Sequence, residues 1–163
     1  MRRGLLAALT ILLISNAMAD GFTYNIQMAG YAFDRYDEKG TVTYEQFVRE
    51  FRSFPWATQV GKAKGGSEPT ISVRNQSDGT DYWVSAAKHK SGYVYLVGIV
   101  HLKEKRSFLG LGTPKPIRWV EIFVAEDAKT VEDTFRTFFS GNKEQLLSQL
   151  RLLPKFDEME AKN

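Results

Sequence analysis

The chain of 163 residues has no cysteine, only two histidines and little excess of charge. Without cysteine there is no disulfide framework, and zinc sites built on thiolates are excluded. The 22 basic residues include Arg2 and Arg3 of an N-terminal leader, whereas all 19 acidic residues follow that leader. A mature chain would therefore be nearly neutral, and its charge gives no reason to predict a nucleic-acid partner.

Long hydrophobic runs are also missing, apart from one at the N-terminus. Residues 1–19 combine two arginines, an apolar run over 5–14 and the small residues Ala17 and Ala19, the pattern of a secretory signal peptide. The apolar run is too short to span a membrane, which takes about 20 residues. We therefore expect cleavage after Ala19, no stable membrane insertion, and a periplasmic or secreted mature protein. The alternative is an N-terminal anchor that is never cleaved.

The remaining residues predict one α+β domain over 20–154 and a charged, frayed tail over 155–163. Strands are predicted over 22–28, 69–75, 80–88, 93–103 and 117–125. Glycine turns at Gly79 and Gly92 join neighbouring strands as hairpins, so we expect a four- to five-stranded antiparallel meander sheet. The segments 93–100 and 117–124 are apolar at both alternations, which is typical of central strands or of strands covered on both faces.

One helix is predicted before the sheet and two after it. Thr43 and Gln46 form a capping-box pattern, and the aromatic residues that follow have helical spacing over 44–54. Pro55 can end this helix or begin a second turn. Two closing helices are expected from about Thr130 to Gly141 and over 143–153.

A calcium loop is the first chemical motif to test, because the stretch around Gly40 resembles half of an EF-hand. The ligand positions would then include Arg35, Lys39 and Gln46. Calcium needs oxygen ligands and a bidentate glutamate in the last position, so cations and an amide exclude the site. We interpret the segment as a turn followed by a helix cap.

The two histidines, His89 and His101, are the other candidates for chemistry. His101 could form an acid–base pair with Glu121 or Asp81 on neighbouring strands, or simply be a strand histidine bonded to a neighbour or to water. No spacing nominates a catalytic pair, a metal site or a cofactor site.

The connection over residues 103–116 is the most informative local feature. It is long and basic and carries apolar residues between glycines and prolines, whereas hairpin loops are mostly short and polar. Such side chains on a connection indicate a contact surface, unless the loop folds back and buries them. The candidate partner-binding residues here are Lys105, Arg106, Phe108, Leu109 and Leu111.

The layout resembles that of small immunity proteins of bacterial toxin–immunity systems. An aromatic helix over 47–56 is followed by paired strands at 69–73 and 82–86, then by 119–122 and a closing helix pair. The resemblance implies protection against a toxin that acts in the periplasm.

The segment from Ser91 to Tyr95 is similar to the Ser-Gly-x-x-Tyr motif of periplasmic lysozyme inhibitors. That similarity implies that Ser91 enters a lysozyme cleft while Tyr95 supports its loop. A plain turn before a strand explains the same residues. The predicted helices and the missing cysteines depart from that all-β family.

Taken together, these features predict an exported binding protein rather than an enzyme. We expect an inhibitor or immunity protein that blocks a toxin or an envelope hydrolase, its protein partner, by surface contact. A cell-envelope hydrolase is the alternative that His101 beside an acid would favour. A small-ligand-binding envelope module is a further alternative, which an enclosed apolar cavity would favour.

Overall fold

A computed structural model describes residues 21–63, 65–90, 92–105 and 114–161. Within these ranges the elements are β1 (Phe22–Gln27), β2 (Asp37–Thr41), α1 (Tyr44–Ser53), α2 (Trp56–Lys62), β3 (Thr70–Asn75), β4 (Asp81–His89), β5 (Gly92–Lys105), β6 (Lys115–Ala125), α3 (Ala128–Phe139), α4 (Lys143–Leu150) and β7 (Lys155–Glu160). All strands belong to one antiparallel sheet in the order β2-β1-β3-β4-β5-β6-β7. The predicted meander is the run from β3 to β6.

Helix α1 begins at the predicted capping box. The Thr43 hydroxyl accepts a hydrogen bond from the Gln46 amide at 3.3 Å, and the Gln46 side chain accepts one from the Thr43 amide at 2.8 Å. These bonds satisfy amides that the first turn leaves without partners. Pro55 then stands at the start of α2, so the second turn that the sequence left open is present.

One face of the sheet carries the hydrophobic core. Tyr82, Val97 and Ile99 on this face are fully buried beneath the helices. Helices α1 and α3 meet here, where the rings of Phe47 and Phe135 stack with their centroids 3.9 Å apart. Each such side chain contributes about 1.5–3 kcal/mol on burial, so this aromatic layer is the main support of the fold.

The opposite face of the sheet has no helix over it among the described residues. Side chains alternate along a strand, so Trp83 and Ser85 of β4 and Leu96 and Val100 of β5 point to this open face. Strands β5 and β6 are interior to the sheet. Their apolar sequences predicted either such a central position or cover on both faces. The helical cover on both faces, the other expectation, is not found in the described ranges.

The α+β class is confirmed, but the expected element counts were too low. In the described part of the chain the sheet has seven strands instead of four to five, and four helices are found instead of three. Strand β2 occupies residues expected to form a turn, and β7 occupies 155–160, where we expected a frayed tail. Both are edge strands whose side chains are mostly exposed, and backbone hydrogen bonds to the neighbouring strand hold them in place. Because neither strand buries one face, their sequences show no alternation of apolar and polar residues.

Candidate functional site

The sequence placed five candidate partner-binding residues on the 103–116 connection and two, Ser91 and Tyr95, in the Ser-Gly-x-x-Tyr segment. Five of them lie outside the described residues: Ser91, Arg106, Phe108, Leu109 and Leu111. Lys105 ends β5, and its ammonium donates to Glu160 Oε2 at 2.7 Å in an exposed ion pair. Tyr95 is only 9% exposed and packs against Phe51 and Trp56 in the core. The structure therefore gives Tyr95 a packing role and no contact surface.

A groove of about 660 Å³ opens instead on the uncovered face of the sheet. Strands β1, β3, β4 and β5 form its floor, and the segments 33–36 and 66–68 form its rim. Its lining includes Asn25, Ser72, Asp81, Trp83 and Leu96. The volume lies within the range of about 300–1,000 Å³ that is typical of ligand sites, although this groove is open and not enclosed.

Trp83 in the floor of the groove is fixed by a glycine on the neighbouring strand. Trp83 and Gly98 are direct partners in the β4–β5 ladder. A Cβ atom at position 98 would lie within 2.8 Å of three atoms of the six-membered ring, Cε2, Cζ2 and Cη2. The indole thus lies where a side chain at 98 would be, and Trp83 remains partly exposed in the groove. Gly98 is what allows a large aromatic surface here.

The loop over residues 28–36, which carries the 33–36 side of the rim, is held by one side chain of β1. The Gln27 amide nitrogen donates to the carbonyl oxygens of Ala32, Phe33 and Arg35 at 3.1, 3.2 and 3.1 Å. These bonds fix the loop that presents two exposed rings, Phe33 at 86% and Tyr36 at 50% exposure. The rim is therefore set in place before any ligand arrives.

A second tie joins this rim to the segment before β3. The Gly30 amide donates to the Ser67 carbonyl at 2.9 Å, and the Ser67 hydroxyl donates to the Tyr31 carbonyl at 2.8 Å. A Cβ atom at Gly66 would lie 2.6 Å from the Gly30 Cα, so the two backbones touch where only glycine fits. The two sides of the rim form one connected wall.

One end of the groove carries a charged cluster. Arg118 donates to Asp81 Oδ2 at 2.8 Å, and the Arg74 Nε lies 3.8 Å from Asp81 Oδ1. Burial raises the pKa of the Asp81 carboxyl, while both guanidinium groups oppose that rise. The carboxylate is thus held in a fixed orientation by two cations at the groove end.

The histidine–carboxylate pair that the sequence offered as a possible catalytic site lies on the other face of the sheet. His101 Nε2 is 3.0 Å from Glu121 Oε2, and Lys155 Nζ is 3.4 Å from the second carboxylate oxygen. The His101 and Glu121 side chains are only 10% and 14% exposed. Of the two acidic neighbours that the sequence offered for His101, Glu121 is the one in contact. The burial of both side chains leaves little surface for a substrate.

The sequence contained two signals of the groove that we did not use. Asp81, Trp83 and Ser85 alternate with the buried Tyr82 and Val84, which puts a tryptophan between two polar residues on one face of this strand. Gly98 also interrupts an apolar strand, and a glycine there often marks the close approach of another group. Neither signal shows that β1 and the 28–36 loop complete the groove.

The fold and the groove together define an α+β domain with one helix-covered and one open sheet face. Comparison of the chain with protein-family models, with curated proteins and with solved structures finds no match. No helix in the described ranges is long and apolar enough to cross a membrane. In the same ranges, no three His, Cys, Asp or Glu side chains lie together as metal ligands would.

Proposed function

We propose that this chain is an exported binding protein that holds its partner in the groove around Trp83. The observation that carries the proposal is the partly exposed indole seated on Gly98 within a rim fixed by hydrogen bonds. A rigid aromatic surface surrounded by polar groups is the usual composition of a recognition site, because little conformational entropy is lost on binding. Export rests on the signal peptide read from residues 1–19.

An inhibitor or immunity role is the form of this function that we favour for a protein partner. Leu102 on the open face is 61% exposed and lies between the groove and the 103–116 connection. A protein partner could therefore contact the groove and Leu102, with Arg106 and Phe108 of the connection as further anchors. A toxin or an envelope hydrolase would be blocked by such surface contact.

The test is capture of partners from periplasmic extract, followed by calorimetry with each purified partner. Trp83→Ala should weaken binding at least about tenfold, as expected for an aromatic anchor. Trp119→Ala is the matched control, because Trp119 is also partly exposed but lies on the other face of the sheet. Equal affinities for wild type and Trp83→Ala would refute the groove as the binding site. Loss only with Arg106→Ala and Phe108→Ala would transfer the function to the connection.

A hydrolase is the second candidate, and the His101–Glu121 contact is the observation that favours it. His101 would have to exchange a proton with a substrate through a narrow opening, since both side chains are nearly buried. Hydrolysis of chromogenic esters or glycosides by wild type, abolished in His101→Gln, would support this function. Equal rates for the two proteins would exclude His101 from it.

A further inference from the structure

We infer that the groove around Trp83 binds a neutral carbohydrate chain, an inference that rests on the binding function proposed above. Four properties of the groove lead to this ligand class: an aromatic floor, uncommitted polar side chains, balanced charge and an open shape. Each is a property of residues that fold together from β1, β3, β4 and β5.

The aromatic floor suits the apolar face of a sugar ring. The face of an indole carries negative charge density, which attracts the weakly positive C–H groups on one side of a pyranose. Trp83 is held on Gly98 and cannot retreat into the core, because the space beneath it is filled by the β5 backbone. Tyr36 and Phe33 offer further exposed rings at the rim.

The polar side chains around Trp83 match a ligand made of hydroxyl groups. Asn25 and Ser72 face each other across the β1–β3 ladder on the open face. Neither side chain makes a hydrogen bond to another described residue, so their amide and hydroxyl can serve a ligand. Ser85 and Thr70 differ, since their hydroxyls bond to each other at 3.1 Å and to the Pro69 and Glu68 carbonyls. An amide beside a hydroxyl can donate to and accept from vicinal sugar hydroxyls.

The charge of the groove argues against other ligand classes. Its charged lining residues are Arg74, Asp81 and Glu68, so no excess of positive charge is present to attract a nucleic acid or another polyanion. Asp81 remains able to accept hydrogen bonds from a neutral ligand while paired with Arg118. A lipid chain would leave these polar groups without partners.

The open shape separates a glycan from an extended peptide. Peptides that bind sheets usually add to an edge, where backbone amides and carbonyls are free. The groove lies over strands β3 and β4, whose backbone groups are committed to ladders on both sides. Recognition there must use side chains alone, which suits a ligand whose polar groups are hydroxyls.

The test is titration of the ¹⁵N-labelled mature protein with hexasaccharides: cellohexaose, maltohexaose and N-acetylchitohexaose. The chain has three tryptophans, Trp56, Trp83 and Trp119, so three indole N–H signals report at once. We expect a saturable shift of the Trp83 signal with at least one hexasaccharide at a Kd below about 10 mM, without shifts at Trp56 and Trp119. Trp83→Ala should weaken this binding at least about tenfold, and Asn25→Ala about threefold or more.

Tyr36→Ala is a second variant for the case that Trp83→Ala does not fold. The Tyr36 ring is exposed, so its removal should leave the core undisturbed. This variant should weaken hexasaccharide binding severalfold. Absence of any saturable Trp83 shift with all three sugars would overturn the inference, as would tighter binding of an acidic oligogalacturonide. A captured protein that needs Trp83 while no hexasaccharide binds would refute the glycan and leave the proposed function intact. Failure of both experiments would refute both.

Discussion

The Trp83 indole and the Cα of Gly98 fit together so closely that residue 98 has no room for a side chain. A Cβ atom there would come within 2.8 Å of three ring atoms, far inside van der Waals contact. The glycine therefore determines where the tryptophan lies, although the two residues are on different strands.

Gly98→Ala should push the indole off the sheet and lower the free energy of unfolding by about 1–3 kcal/mol. Urea denaturation followed by tryptophan fluorescence measures this loss. The same variant should weaken any ligand that depends on Trp83. In a Trp83→Ala background the added methyl group has space, so the two substitutions should be strongly non-additive.

Gly92→Ala is the control for this substitution, because a Cβ atom at Gly92 meets nothing within 4 Å. Its free energy of unfolding should change by less than about 0.5 kcal/mol. A stability loss at Gly98→Ala no larger than that at Gly92→Ala would contradict the packing described for Trp83.

Tyr82→Phe should raise the free energy of unfolding by about 1 kcal/mol. The Tyr82 hydroxyl is fully buried and has no hydrogen-bond partner among the described residues. The nearby Thr134 hydroxyl donates to the Val131 carbonyl at 2.9 Å, and the Tyr82 hydroxyl does not reach hydrogen-bond geometry with it. Thermal or urea denaturation of the variant measures the gain.

Tyr44→Phe provides the opposite case for comparison. The Tyr44 hydroxyl donates to the Glu132 carbonyl at 3.3 Å, so its removal should lower stability by about 0.5–1.5 kcal/mol. Were Tyr82→Phe to cost as much as Tyr44→Phe, the Tyr82 hydroxyl would have to possess a partner in solution.

Asp127 should make the stability of α3 depend on pH. The Thr130 amide donates to Asp127 Oδ1 at 2.7 Å and holds the pKa of that carboxyl below its ordinary value of 3.8. A folded-state pKa that is lowered means stabilisation at pH above 3.8, lost as the pH falls through the folded-state value. The stability difference between wild type and Asp127→Asn should therefore shrink below about pH 4.

Asn142 caps α4 through its own bond from the Gln145 amide at 3.0 Å and carries no charge. The stability difference between wild type and Asn142→Ser should thus be the same at every pH in this range. Denaturation curves of both variants from neutral to acidic pH supply the comparison. A constant difference for Asp127→Asn as well would show that its carboxyl keeps its ordinary pKa.

Alternate amides within residues 155–160 should resist hydrogen exchange, because β7 pairs with β6 through Lys155 and residues 157–160. The ladder continues past the strand, where the Ala161 amide donates to the Arg118 carbonyl at 2.9 Å. Exchange of peptides from this region, followed by mass spectrometry, should be slower than in the turn over 76–79. Exchange at the rate of an unstructured chain would contradict strand β7 and support the frayed tail that the sequence predicted.

Much of the fold could be predicted because burial imposes periodicity on the sequence. The alternation in β3 and β4, the capping box at Thr43 and the stop at Gly141 each follow from local chemistry. Strands β2 and β7 could not be found in this way, since their side chains face solvent and only their backbones are engaged. Their positions depend on the edges of a sheet that local sequence does not describe.

The candidate groove was predictable only in fragments. His101 and Glu121 are recognisable because both lie on apolar strands where polar residues are rare, and their contact was anticipated. The groove instead joins Asn25, Trp83 and Tyr36 from distant parts of the chain. Their proximity follows from strand order and register, which pattern analysis of one sequence does not supply.

The charges on the edge strands affect self-association of this chain through the edges of its sheet. Strand β7 carries Asp157, Glu158 and Glu160 beside one lysine, and β2 is exposed over residues 38–40. Two copies that paired β7 to β7 in parallel register would bring the carboxylates of one strand against those of the other. The excess of acidic residues on β7 therefore opposes parallel edge-to-edge growth into extended sheets on this side.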